Sequence, residues 1–118
     1  MDIEFYRNYC ISKPYVTEEF PFDQGTLVFK VVGKMFALTD VDSFESVNLK
    51  CDPEYAIELR EKHSSVIPGY HMNKKHWNTV ILDGSLSDPF IMKLIDDSYQ
   101  LVVAKLSKKE KNLLISTN

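Results

Sequence analysis

The residues best equipped for chemistry crowd into Val66–Thr79, which reads VIPGYHMNKKHWNT. Two lysines (Lys74, Lys75), two histidines (His71, His76), two asparagines (Asn73, Asn78), Tyr70 and the single tryptophan, Trp77, fall within fourteen residues, behind Pro68 and Gly69. Lysine offers positive charge to an anion, amides and imidazoles offer directional hydrogen bonds, and aromatic rings offer a stacking or packing surface. Together these are the side-chain types that contact nucleic acid. The segment also has a plainer reading, in which Trp77 anchors a hairpin in the core and the polar residues form a solvated tip.

Other chemistries find less support. His71 and His76 lie five apart across a tight turn, and a third metal ligand would have to come from elsewhere. His63 sits on an expected helix as a packing residue, so no metal site is expected. With only four glycines, the chain has no phosphate-cradling loop, and it has neither a nucleophile elbow nor Ser-His-Asp spacing. Glu18-Glu19, Asp40/Asp42 and Asp96-Asp97 read as solvated loop and helix charges. Cys10 and Cys51 match neither a CxxC pair nor a zinc framework. Both fall on expected core-facing positions, consistent with buried thiols in a reducing compartment. The expectation is a non-enzymatic protein without metal or cofactor.

A chain of 118 residues makes one domain around one core. Its apolar runs are too short to span a membrane, and MDIEFYRNYC lacks the basic-then-apolar design of a signal peptide. A cytoplasmic protein is expected. The net charge of −3 and pI near 5.6 exclude a protein that coats nucleic acid by bulk electrostatics. The charge is uneven, however: residues 1–60 sum to −5 and residues 61–118 to +2, with Lys74, Lys75, Lys105, Lys108, Lys109 and Lys111 all late. A local basic patch on an acidic protein is compatible with weak binding only.

The elements that must position these residues follow from periodicity and end signals. A helix over Asp2–Ser12, capped by Asp2 and stopped before Pro14, gathers Ile3, Tyr6, Tyr9 and Cys10 on one face. Thr17–Phe22 reads as a loop or single turn, with Pro14 before it and Pro21 within it. Strands are expected at Thr26–Val32 and Lys34–Thr39, joined at Gly33, and at Glu45–Cys51. Alternation places Leu27, Phe29 and Val31 on a packed face with Phe36, Leu38, Val47, Leu49 and Cys51, and leaves Lys30, Asn48 and Lys50 on a wet one. Asp52-Pro53 starts a helix to about His63, with Tyr55, Ala56, Leu59 and His63 on its core side. A second hairpin fits Val66–His71 and His76–Leu82, with Met72–Lys75 at its turn. Ser87-Asp88-Pro89 starts the last helix, to about Leu106, and the tail after about residue 107 is expected to fray. The expected fold is α+β: a two-layer sandwich of about five antiparallel strands with helices on one face, in the order α-β-β-β-α-β-β-α.

Read in order, FPF (Phe20–Phe22), LVFKVVGKMFAL (Leu27–Leu38), VNLKCDPE (Val47–Glu54), VIPGYHMNKKHWNTV (Val66–Val80) and SYQLVVAKL (Ser98–Leu106) resemble the MmcQ/YjbR-like family. These matches run through most of the chain, from about Phe20 to Leu106. The family is described as DNA-binding with a double-wing motif, so the resemblance implies two hairpins projecting as wings from a helix-backed antiparallel sheet. The layout is also similar to the fold of the type III secretion chaperones, which bind polypeptides. Fold alone therefore leaves the ligand open.

Two functions are expected from this. One is weak, largely sequence-indifferent DNA binding, in which Lys74 and Lys75 reach phosphates, Asn73, His76 and His71 add hydrogen bonds, and Lys34, Lys30 and Lys50 extend the track. On the plainer view each of these lysines is a solvated charge that blocks edge-to-edge sheet pairing. The other is a protein- or peptide-binding or dimerising module, which would use apolar residues such as Val28, Val32 and Met35 on exposed positions. Trp77 is expected to be buried against the helical layer, sharing a face with Thr79 and Ile81, with its indole nitrogen hydrogen-bonded.

Overall fold

The computed structural model describes residues 1–70 and 72–115. Helix α1 (Ile3–Ile11) is capped by the Asp2 carboxylate, which accepts from the Phe5 N–H at 2.8 Å. Strands β1 (Val16–Glu19), β2 (Thr26–Val31), β3 (Lys34–Asp40) and β4 (Ser46–Lys50) follow. Helix α2 (Pro53–Lys62) starts at Asp52, whose carboxylate accepts from Tyr55 N–H, with Pro53 in the first turn. Strands β5 (Val66–Pro68) and β6 (Trp77–Ile81) lead into α3 (Asp88–Ala104), capped by Ser87, and then α4 (Lys108–Ile115).

The six strands form one antiparallel sheet in the order β1-β2-β3-β4-β6-β5. Helices α1, α2 and α3 pack on one face, α3 crossing the centre over β2, β3 and β4. Tyr6, Cys10, Phe29, Val31, Phe36, Val47, Leu59, Val80, Ile91, Ile95 and Tyr99 interlock between the layers. Each large apolar side chain buried this way contributes about 1.5–3 kcal/mol.

Two elements depart from the expected order. Thr17–Phe22 was expected to be a loop, but Val16–Glu19 pairs with β2 as an edge strand. Its Thr-Glu-Glu composition carries no apolar alternation, and the carboxylates blunt an edge that would otherwise invite pairing. The tail expected to fray instead forms α4. Ser107 and Glu110 cap it reciprocally: Glu110 N–H donates to Ser107 Oγ at 3.1 Å and Ser107 N–H to Glu110 Oε1 at 2.9 Å. That Ser-Lys-Lys-Glu spacing is a capping box.

A third difference lies in β3. The register slips between Phe29 and Lys30, so Phe29 faces Ala37 while Lys30 faces Met35, leaving Phe36 as an extra residue. The bulge turns both Phe36 and Ala37 towards the helices and sends Leu38 to the opposite face with Val28. Leu38 is therefore not a companion of Leu27 and Phe29. The Ser98 hydroxyl of α3 repairs the ladder at this point, donating to the Phe36 carbonyl at 2.6 Å and accepting from the Lys50 N–H at 2.8 Å. No helix among the described residues is long and apolar enough to cross a membrane.

Candidate nucleic-acid interface

Strand directions send both hairpin turns to one end of the sheet. The β2–β3 turn is Val32-Gly33, both with positive φ (47° and 77°), which is the two-residue turn that matches strand twist. A β-branched residue rarely adopts this conformation. Val32 holds it while packing against the main core. The β5–β6 loop, residues 69–76, leaves the sheet at the same end, because Gly69 N–H donates to the Trp77 carbonyl at 2.9 Å. A Cβ on Gly69 would stand 2.8 Å from the Trp77 Cβ and 2.9 Å from its carbonyl oxygen, so only glycine lets the loop close here. Three strand spacings separate the midlines of the two hairpins, roughly 14 Å.

Arg60, on the last turn of α2, ties the loop to the helical layer. Its guanidinium donates to Asn78 Oδ1 at 2.7 Å, to the Trp77 carbonyl at 3.3 Å and, by a short bond, to the Lys74 carbonyl. Sequence reading missed this residue, although Arg60 lies four positions after the core-facing Ala56 and so shares its face.

Trp77 is buried, at 7% exposure, but on the face away from the helices. Register decides this: Leu49 pairs with Asn78 and Val47 with Val80, so Asn78 and Val80 face the helices and Trp77 faces out beside Lys50. There Trp77, Val28 and Leu38 form a second small core capped by Met35 and Met72. Both sheet faces are apolar around β6, so alternation alone could not choose between them. The expected partner for the indole nitrogen is not found among the described residues. Val28, expected to be an exposed apolar position, is fully buried in this cluster, and Val32 and Met35 are half-buried.

The expected basic track is only partly assembled. Lys34, at the start of β3, and Lys50, at the end of β4, line one concavity of about 360 Å³ with Met35, Trp77, Val102 and Lys105. Lys105 caps the C-terminus of α3 and was not among the expected site residues. The Lys50 ammonium lies 6.0 Å from the Trp77 ring centroid. Burial, followed by the positive charges of Lys105 and Lys34, holds its pKa below the usual lysine value. Lys74 and Lys75 stand on the adjoining loop, where the Lys74 ammonium donates to the Gly69 carbonyl at 3.1 Å. Asn73 is largely committed to its own turn: its side chain accepts from the Lys75 N–H at 2.9 Å, and its carbonyl from Trp77 N–H at 2.9 Å and His76 N–H at 3.2 Å. His76 is half-buried, and its carbonyl accepts from the Cys51 N–H. His71 lies outside the described residues. Lys30 is not brought to the group, because its ammonium pairs with Glu19 at 3.3 Å. Among the described residues, Lys34, Lys50, Lys74, Lys75 and Lys105 form no ion pair with a carboxylate.

The opposite end of the open face differs in sign. A groove of about 770 Å³ runs along this face from Asp23, Asp40 and Glu45 at that end, past Phe22, Leu38 and Asn48, to Tyr70 and Met72 of the β5–β6 loop. Asp23 accepts from the Gly25 and Thr26 N–H groups, and Asp40 from those of Asp42 and Ser43. The two thiols, Cys10 and Cys51, are buried and free. Desolvation pushes their pKa values up to about 12 and about 11, which leaves them unreactive.

A family model described as YjbR matches residues 11–101. The chain is 40% identical over 116 residues to the protein YjbR of Escherichia coli (strain K12), with 98% of each chain covered. It is 37% identical over 102 residues to YbdF of Escherichia coli O157:H7, covering 86% of this chain and 84% of that one. The crystal structure of Deinococcus radiodurans protein DR2400, with family-model domain DUF419, is similar at a TM-score of 0.88 and 45% identity. That match covers 95% of this chain and 87% of the other.

Proposed function

The chain belongs to the YjbR family, and from that premise we propose that it is a small, non-enzymatic DNA-binding protein that contacts duplex weakly through one end of its sheet. The observation that carries the reading is the convergence of both hairpin turns, with Lys34, Lys50, Lys74, Lys75 and Lys105, on that end. Ammonium groups without a carboxylate partner, on and beside two turns, suit phosphates on either side of a groove, since the hairpin separation of roughly 14 Å is close to the width of a major groove, about 12 Å. Phosphate contacts position a protein without reading bases, so sequence preference is slight. The acidic opposite end repels the backbone and fixes which end docks.

The test is a fluorescence-anisotropy titration of duplex DNA across a salt series, comparing the parent with Lys74→Ala/Lys75→Ala. Loss of two phosphate contacts lowers the slope of log affinity against log salt by roughly 1.8. Equal slopes would remove the loop from the interface, and a parent that fails to bind at low salt would overturn the DNA reading.

A second reading, a peptide-binding module, is favoured by the acidic groove with Phe22 and Tyr70 on its wall, exposed at 64% and 67%. Its ligand would be a basic peptide with an apolar side chain, and its binding would be indifferent to Lys74 and Lys75.

A further inference from the structure

We propose that the concavity between Lys34, Lys50 and Lys105 is a seat for a multiply charged phosphate group, such as a terminal phosphomonoester or a pyrophosphate. The inference shares its lysines with the DNA reading but not its ligand, and it stands if the duplex fails to bind.

Three elements that are distant in sequence deliver the lysines: the start of β3, the end of β4 and the C-cap of α3. The lining residues include no carboxylate, and the walls between the ammonium groups are Met35, Trp77 and Val102. Its volume of about 360 Å³ lies within the range of small-ligand clefts, about 300–1,000 Å³. Apolar walls lower the local dielectric, which strengthens attraction to an anion and also the mutual repulsion of the lysines. Burial first, and then the charges of Lys105 and Lys34, hold the Lys50 pKa below the usual lysine value.

Charge balance selects the ligand class. The C-terminal end of α3 contributes a partial negative charge of about one half, and the start of α4 beside it a partial positive charge of similar size. The two ends offset each other, so the three ammonium groups set the charge of the seat. A phosphodiester carries a single charge and underfills that seat. A phosphomonoester, at about −1.5 to −2 near pH 7, fills it better, and pyrophosphate, with more charge still, is the stronger probe. Ser98 keeps the seat in shape by holding the Lys50 backbone against the Phe36 carbonyl, so the lysines stand on a fixed frame.

The experiment is a ¹⁵N-NMR titration of the full chain with pyrophosphate and separately with inorganic phosphate, at pH 5.5 and pH 7.5. Perturbations centred on Lys34, Lys50, Lys105 and the Trp77 indole are expected, with inorganic phosphate binding more tightly at pH 7.5 because most of it gains its second negative charge between the two pH values. Lys50→Gln should weaken pyrophosphate binding at least tenfold, in keeping with the loss of a charge-assisted hydrogen bond. Lys93→Gln, altering a lysine already paired with Asp97, should leave it unchanged. A 5′-phosphorylated oligonucleotide that perturbs the seat where its 5′-hydroxyl counterpart does not would identify a nucleic-acid end as the source. Equal effects of those two oligonucleotides, with pyrophosphate still binding, would identify a free phosphorylated compound. Absence of perturbation at the trio at millimolar pyrophosphate, or equal affinity in Lys50→Gln, would overturn the proposal.

Discussion

The two ends of this sheet carry opposite charge, and they use it differently. At the acidic end three carboxylates are bound into the chain's own turns, while Glu45 lines the groove: Asp23 holds the Gly25 and Thr26 amides, Asp40 those of Asp42 and Ser43, and Asp83 that of Ser85. At the basic end Lys34, Lys50 and Lys105 converge without a carboxylate on the concavity they line. Charge that closes turns stabilises the fold and has little left for a ligand. Charge gathered against its own repulsion works against the fold, and so points outward to function. The contrast also explains how a chain of net charge −3 can offer a cationic surface.

Trp77 gives the largest test of this contrast, because it floors the basic end. Trp77→Ala removes the centre of the small outer core formed with Val28 and Leu38 and should cost roughly 3–5 kcal/mol by denaturant melting. Since that core lies away from the helices, the contacts of Tyr99 and Ile95 beneath the sheet should survive. Near-ultraviolet and NMR signals of the helical layer are then expected to persist at temperatures where the variant is folded. Loss of those signals together with the outer ones would mean that the two cores form one packing unit.

Gly69→Ala is the next smaller. The added methyl would meet the Trp77 Cβ and carbonyl oxygen at under 3 Å, and such overpacking costs about 1–3 kcal/mol. The loop must move off Trp77, which shifts Lys74 and Lys75 but leaves Lys34, Lys50 and Lys105 where they are. Weaker duplex binding with unchanged pyrophosphate binding is therefore expected. Parallel loss of both would show that the loop and the three-lysine seat act as one site.

Much of the frame could be read from residues alone because its signals are local. Asp2, Asp52-Pro53 and Ser87-Asp88-Pro89 mark the starts of α1, α2 and α3, and Gly33 marks the first hairpin turn. What escaped depends on pairing between distant segments. Val16–Glu19 is a strand only because β2 offers it an edge, and Leu38 changes face because of a bulge that no single residue announces. The face of Trp77 follows from which residues of β4 stand opposite it. The site was legible to the same degree: the composition of Val66–Thr79 pointed to the loop, whereas the meeting of Lys34, Lys50 and Lys105 required the crossing of α3 over the sheet. Lys30 was misplaced in the track because its partner, Glu19, lies on the strand that was read as a loop.

The smallest effect belongs to the acidic end. Backbone hydrogen bonds from Thr26 and Gly25, then the Thr26 hydroxyl, hold the Asp23 carboxyl below its ordinary pKa. A carboxylate whose folded-state pKa is lowered contributes stability that is complete above its unfolded value, near 4, and is lost as pH falls through the folded value. Asp23→Asn keeps an oxygen able to accept in the turn and removes only the charge. The variant should be slightly less stable than the parent at pH 7, and the difference should shrink as pH falls below about 4, in paired urea melts. Its duplex salt slope and its pyrophosphate affinity should equal the parent's, because this carboxylate serves its own turn. A changed salt slope in Asp23→Asn would break the comparison, since it would place the acidic end within reach of the ligand and give it a part in choosing the partner.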